Sequence, residues 1–392
     1  VNYLTLASIF VTAAVACAWL LARRAGRRGV TWVAVALAGI ALLLLTAVFD
    51  TLMIRLGLFS YAPEHLIGFR IGLAPIEDFA YPLAIVIALP VLWAVLTKPG
   101  IVPLTKLVHQ AWLASRPVSW INTAFPFAAA LLLTTREISW VWVIGTLYYL
   151  VPYNIAMYGV NDVFDYESDL RNPRKGGIEG ALLAPQFHRP LLWLVLATNV
   201  PFVLVLLAAG GPMAWVSLAV STFALLAYSA PPLRLKERPG WDSVTSSLHF
   251  VSPAVVGLAL GGATIDSGLF LTLLAFFLWG MAAHAFGAVQ DIRPDRDAGI
   301  GSIATACGAR RTVRLALALW LLAGLLMLAT PWPGPLAAIL ALPYLVNCLP
   351  WINVTDDTAT ETNRAWRRFI WINYGAGFAV TLILILFWQV GT

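Results

Sequence analysis

Charge is what this sequence has least of. Only 11% of its 392 residues are Asp, Glu, Lys or Arg, against 60% that are apolar or aromatic. Soluble domains carry about 25% charged residues. With a mean hydropathy of +0.82, a water-facing surface of this makeup would aggregate, which excludes a soluble globular protein. Cysteine is also scarce. Cys17, Cys307 and Cys348 are odd in number, far apart and without CxxC spacing, so neither a disulfide framework nor a thiolate zinc site is supported. The net charge of +6 comes from basic residues grouped between apolar runs, where they orient helices and meet anionic lipid or diphosphate rather than nucleic acid. The first apolar run, 3–21, is followed and not preceded by Arg23, Arg24, Arg27 and Arg28. That is the reverse of a secretory signal, so the run is expected to be a retained helix.

What the chain does have is apolar runs of about 20 residues, each long enough to cross a hydrocarbon core roughly 30 Å thick. Three precede a break, near 3–22, 30–49 and 80–97. A polar, Pro-containing stretch, 98–117, reads as a linker or surface helix. Nine more runs follow, near 118–134, 139–159, 189–209, 213–230, 243–262, 267–289, 311–330, 335–353 and 367–389. The expected fold is all-α and polytopic, with about twelve transmembrane helices: a three-helix domain at 1–97 and a nine-helix domain at 118–392. The 17 Trp and 11 Tyr supply interfacial belts. Loops 160–188, 231–242, 290–314 and 354–368 hold nearly all the Arg and Lys of the second region, whereas turns near 136, 211, 265 and 333 hold only Arg136. The positive-inside rule then places those loops in the cytoplasm of a cell-membrane protein.

Two of those loops carry acidic motifs. In N161-D-V-F-D165-Y-E-S-D169, Asn161, Asp165 and Asp169 stand four apart and would form one stripe on a helix. D291-I-R-P-D295 again spaces two carboxylates by four, with Pro294 expected to perturb the helix there. Carboxylate and amide oxygens on one face are hard ligands for Mg²⁺, which bridges well to diphosphate. Ordinary solvated loop charge is the competing reading of either motif alone. Two such motifs at the same membrane face, each flanked by cations, argue against it. A transporter would more often set its ionisable pairs near mid-membrane.

These motifs, with Y228-S-A-P-P-L-R-L-K236, make residues from about 118 onward resemble the UbiA-type intramembrane prenyltransferases. The resemblance implies nine helices, Mg²⁺ held by Asn161, Asp165, Asp169, Asp291 and Asp295, and diphosphate held by Lys236 with help from Lys175 and Arg171. An allylic diphosphate ionises when metal and cations take up the departing charge. The allyl cation then needs an aromatic, water-poor pocket. Tyr153, Tyr158 and Tyr228 are candidates for its walls, and His284, seven residues before Asp291, is placed to touch it. Interfacial belt or packing roles compete for each of these residues.

The first region has its own constellation. A segment beginning F49-D50 and running to Y61 is followed by Pro75, Glu77 and Asp78. Two adjacent carboxyls between apolar spans fit a hydrated turn, or a desolvated acid that protonates an apolar substrate. The region resembles the three-helix subunits of bacterial heterodimeric lycopene cyclases, in which a PxE(E/D) segment carries the acid. Such subunits act with a second similar one. A cyclase half joined to a UbiA-type domain resembles the lycopene elongase/cyclase fusions of C50 carotenoid synthesis, which implies dimethylallyl diphosphate and lycopene as substrates. A quinone precursor or tetrapyrrole acceptor would account for one half only. The charge-derived orientation puts Glu77 and the aspartate motifs at opposite faces, and lycopene is long enough to present one end to each.

Overall fold

Backbone N–H and C=O groups in hydrocarbon have no water to pair with, so apolar runs of this length become helices that satisfy themselves. The computed structural model describes residues 3–25, 32–58, 60–96, 102–170 and 182–390. Among them, eleven helices are long and apolar enough to cross a membrane. The chain divides into two compact units, Val1–Lys106 and Leu107–Thr392.

In the first unit, α1 (Tyr3–Ala25) and α2 (Trp32–Arg55) both pack on α3 (Ala80–Leu96). α2 runs past the expected limit near residue 49 because its hydrogen bonding continues through Asp50 and Thr51. It ends on Arg55, a cation favourable at the negative end of the helix dipole. Between α2 and α3 lies a small antiparallel hairpin, β1 (Arg70–Ile71) with β2 (Ala74–Pro75), then a 3-10 turn at Ile76–Phe79. The Leu73 N–H donates to Thr51 Oγ1 at 3.0 Å, which pins the hairpin to the end of α2. Gly72 sits at φ +65°, and a Cβ there would lie 2.5 Å from Thr51 Oγ1.

The second unit begins within α4 (Leu104–Ala114), the helix of the 98–117 stretch. Its helices are α5 (Ile121–Thr135), α6 (Trp140–Leu150), α7 (Pro152–Phe164), α8 (Tyr166–Asp169), α9 (His188–Ala209), α10 (Pro212–Ser229), α11 (Trp241–Leu260), α12 (Ser267–Val289), α13 (Ile292–Ala298), α14 (Ile303–Cys307), α15 (Ala309–Leu328), α16 (Ala341–Cys348) and α17 (Asn363–Val390). Neighbours pack as α5 on α11, α10 on α11, α11 on α12 and α12 on α15. Lipid tails are as apolar as the helices, so close packing rather than exclusion from water holds such a bundle. At Gly257 of α11, an added Cβ would lie 2.7 Å from the Phe127 carbonyl oxygen of α5. Between α12, α15, α16 and α17, Phe286, Trp320, Tyr344 and Phe369 form one aromatic core.

Two expected spans are not single α-helices, and one of them, 335–353, begins as a 3-10 stretch, Gly334–Leu340, before α16. The run 139–159 breaks at Val151–Pro152 into α6 and α7, because Pro152 offers no N–H and its ring clashes with the carbonyl four residues back. Side-chain amides take up carbonyls left at the break. Asn154 Nδ2 donates to the Tyr149 and Leu150 carbonyls at 2.9 and 3.1 Å, and Asn199 Nδ2 donates to that of Pro152 at 2.9 Å. The break re-aims α7, the helix that carries the first acidic motif.

Candidate active site

The first motif lies at the C-terminal end of α7. The Asp165 N–H donates to the Asn161 carbonyl at 2.9 Å, so the two side chains share a face. Asn161 Oδ1 accepts from Ser229 Oγ at 2.9 Å and from Lys236 Nζ at 3.4 Å. Lys236 also forms a close ion pair with Asp165, and Arg234 Nη2 stands 3.6 Å from the same carboxylate. Arg234 is in turn paired with Glu237. The Tyr228–Lys236 turn therefore folds over the end of α7 and puts an ammonium between the amide and carboxylate oxygens of the motif. Asp169 closes α8. Its side chain, with Arg171 and Lys175, lies outside the described residues.

The second motif follows α12. Asp291 precedes α13 and Asp295 lies in its first turn. The Asp295 N–H donates to the Asp291 carbonyl at 2.9 Å, so the helical spacing survives and the expected distortion at Pro294 does not occur. A proline in the first turn removes no intrahelical donor. Asp295 accepts from Ser302 Oγ at 3.5 Å. Its charge reaches Lys236, which is also in the field of Asp162, Glu237 and Arg116. Burial, the largest influence, brings the Lys236 ammonium down to about 8, against the pull of those carboxylates.

Three further contacts frame this cluster. Arg116 Nη2 pairs with the buried Asp162 carboxylate at 3.1 Å and its guanidinium lies 4.3 Å from the ring centroid of Tyr158. Arg116 and Arg234 both have positive φ, 50° and 41°, a backbone cost characteristic of functional sites. Asp242 accepts from the Ile303 and Ser243 N–H groups at 2.7 and 2.8 Å, and His284 Nε2 stands 3.6 Å from it. The Tyr228 ring lies edge-on to both His249 and His284. Tyr153 is fully buried among Tyr148 and Tyr149, and its hydroxyl accepts from Ser221 Oγ.

Asn161, Asp165, Asp295, Lys236, Tyr158, Tyr228 and His284 are thus gathered around one end of the bundle, with Asp291 one turn before Asp295. The sequence reading missed Arg116, Asp162, Ser229 and Asp242 as members. The signal for the first two was an Arg before a Pro and a carboxylate inside the acidic motif, both of which look like loop charge. Among the described residues, no three His, Cys, Asp or Glu side chains close up into a metal cluster. Lys236 instead bonds Asn161 and Asp165 of the first motif, and Asp295 of the second acts on it through its charge. That cation takes the place a metal would occupy on Asn161 and Asp165, so the donor set fits Mg²⁺.

In the first unit, Glu77 is buried, its Oε1 accepts from the Ile67 N–H at 2.9 Å, and Oε2 has no partner. The Tyr61 hydroxyl donates to Asp78 Oδ2 at 2.5 Å. Asp50, from the end of α2, is within hydrogen-bond reach of Asp78. Burial first, and then the adjacent Asp78 carboxylate, hold the Tyr61 phenol above its ordinary value, so it remains a donor. Tyr3 and His65 pack on this cluster.

An intramembrane transferase whose first acidic motif binds a largely buried cation, within the field of the second, is the class that fold and site define. The chain belongs to the UbiA prenyltransferase family, whose family model matches residues 123–373. Residues 2–96 match the lycopene cyclase family. The protein is therefore a prenyltransferase with an N-terminal cyclase domain. It is 45% identical over 423 aligned positions, covering 99% of this chain and 97% of the relative, to the C(50) beta-cyclic carotenoids biosynthesis protein LbtBC of Dietzia sp. (strain CQ4). The lycopene elongase/hydratase of Corynebacterium glutamicum (strain ATCC 13032) is 48% identical, over 71% of this chain and 97% of that protein. Among solved structures, a UbiA homolog from Archaeoglobus fulgidus bound to DMAPP and Mg²⁺ superposes with a TM-score of 0.51 at 19% identity, covering 68% of this chain and 98% of that one.

Proposed function

We propose that this protein transfers a dimethylallyl group from its diphosphate to the end groups of lycopene, as the elongation step of C50 carotenoid synthesis. Its N-terminal domain acts as one half of a carotenoid cyclase. The observation that carries this reading is the contact of Lys236 with Asn161 and Asp165, within the field of Asp295, in a chain aligned over nearly its full length with a C50 carotenoid protein.

Mg²⁺, when bound, supplies Lewis-acid neutralisation of the departing diphosphate, and Asn161, Asp165, Asp169, Asp291 and Asp295 would hold it. Lys236, with Lys175 and Arg171, binds the diphosphate oxygens. Arg116 and Asp162 fix the floor of the site by their buried pair. Tyr158, Tyr228 and His284 line the membrane side, where exclusion of water protects an allyl cation. In the cyclase half, two carboxyls within hydrogen-bond reach need a proton between them. Asp78, oriented by Tyr61 and backed by Asp50, is the acid that protonates the carotenoid end group, and Glu77 positions the hairpin through Ile67. A second, similar cyclase subunit completes the site. The charge pattern supports a cytoplasmic face for the aspartate motifs. A cysteine at position 69, exposed in the same segment as the buried Glu77, should label from outside the cell, and labelling only after permeabilisation refutes that orientation.

Mass spectrometry of carotenoids from lycopene-accumulating bacteria expressing this chain tests the transferase assignment. Products heavier by one and two C5 units are expected, and Asp165→Ala or Asp291→Ala should lower their yield by about 10²-fold or more, as for loss of a transition-state electrostatic contact. Full transfer in either variant refutes the site. Unchanged lycopene with the wild-type chain folded and inserted refutes the acceptor, in favour of a quinone precursor or tetrapyrrole.

A further inference from the structure

His249 is a buried base that the reaction as described does not use. It lies on α11 and is only 3% exposed. Its ring is within hydrogen-bond reach of the Ala224 backbone on α10, while Nε2 is buried with no partner. A backbone carbonyl accepts, so the proton is held on Nδ1 and the lone pair is left on Nε2. His284 faces Asp242, and Ser252 donates to Ser221, which donates to Tyr153.

Position gives that lone pair a use. The His249 ring is 5.0 Å from that of Tyr228, at 82°. Tyr228 in turn feels the charges of Asp242, Arg116 and Asp295, so His249 lies one aromatic ring away from the acidic cluster. Eight residues separate it from Trp241, the first residue of α11, which places it about 12 Å deeper along the helix axis. Ala224 lies five residues, about 7.5 Å, before Ser229, whose hydroxyl binds Asn161. An isoprenoid unit bound by its diphosphate at Asn161 and Lys236 would present its reacting carbons at that depth.

We propose that His249 Nε2 is the base that ends prenyl transfer by taking a proton from the product carbocation. This rests on the reading of the chain as a lycopene elongase. The C1–O bond of dimethylallyl diphosphate breaks and its electron pair leaves with the diphosphate. C1 bonds to the terminal double bond of the carotenoid, leaving a tertiary cation. A C–H bond on a neighbouring carbon supplies the electrons of a new double bond and its proton passes to Nε2. The imidazolium then returns that proton to the departing diphosphate or to water.

The test uses the full chain in lycopene-loaded proteoliposomes with dimethylallyl diphosphate and Mg²⁺, scoring proton-loss and water-addition products per diphosphate released. The wild type should give proton-loss products. His249→Gln has no base. His249→Asn also has none, but keeps a donor where Nδ1 stood, so the Ala224 contact and the fold are retained. In both, proton-loss product per diphosphate should fall by at least about tenfold, the low end for a lost general base, in favour of hydrated product. A wild-type ratio in either variant, including recovery in Asn alone, overturns the proposal. Hydrated product alone from the wild type overturns it too. Should neither variant fold, lycopene deuterated on its terminal methyl groups and on the CH of its terminal double bond decides with the wild type. Loss of one deuteron per transfer supports the proposal, and full retention overturns it. A wild type that makes no elongated carotenoid rejects the elongase reading instead.

Discussion

Arg116→Gln is the substitution for which the geometry gives the firmest magnitude. The Asp162 side chain is 0% exposed and its Arg116 partner 21% exposed, at 3.1 Å. Removing one member of a buried ion pair costs about 3–5 kcal/mol, because a charge is left behind without its counter-charge. Arg116 is partly solvated and Asp162 has other contacts, so about 2–4 kcal/mol is expected here. Loss of the guanidinium over Tyr158 adds about 0.5–1 kcal/mol. The double variant Arg116→Gln/Asp162→Asn removes the stranded charge and should be more stable than the single Arg116 variant, by about 1–2 kcal/mol. Because the Tyr158 contact is lost in both, a double-mutant cycle isolates the pair. The assay is SDS-driven unfolding in mixed micelles, followed by circular dichroism. An Arg116→Gln protein within 0.5 kcal/mol of wild type, or costs that simply add, would refute the buried pair as the floor of the site (thresholds of about the usual additivity error).

Three other outcomes follow from the same structure. Lys236 loses its charge as pH rises through about 8, so metal-free affinity for dimethylallyl diphosphate, read by calorimetry in EDTA, should fall above that pH. Lys236→Arg should abolish the fall, and an unchanged profile would contradict it. Between about 8 and the ordinary lysine value of 10.5, the unfolded chain binds a proton that the folded one does not, so this group's contribution to stability rises with pH there. Asp78→Asn should lower ring closure, assayed with the partner cyclase subunit, by about 10²-fold or more, and Tyr61→Phe should lower it less; retained cyclisation in Asp78→Asn would remove that acid. Gly257→Ala should cost about 1–3 kcal/mol in the same unfolding assay, since its methyl meets the Phe127 carbonyl at 2.7 Å and the Leu131 nitrogen at 3.1 Å, and a neutral effect would mean that α5 and α11 are less closely packed.

Much of the site could be read in advance because a helix repeats every 3.6 residues. Residues four apart in sequence share a face wherever the chain is helical, so Asn161 with Asp165, and Asp291 with Asp295, were legible as pairs. The membrane class was legible from apolar length alone. The proline break was not, because hydropathy averages over a run that Pro152 interrupts without making polar. Pro294 erred in the opposite direction. Proline is disruptive in a helix interior but tolerated in a first turn, and only the helix start, unknown from sequence, tells the two apart.

By itself, then, the sequence determined a polytopic helical protein, two acidic half-sites and a second acidic segment ahead of them, since each depends on local length or local spacing. That Lys236 sits on the first half-site, within the field of the second, was decided by tertiary structure. Lys236 is 71 positions from Asp165 and Arg116 is 46 positions from Asp162, separations that no local pattern encodes. Asp50 reaches Asp78 only because α2 and α3 pack together. His249 became a candidate base only when its environment showed one nitrogen engaged and the other without a partner. Pairing of a buried polar atom is a property of what packs around it, and packing joins residues that are distant in the chain.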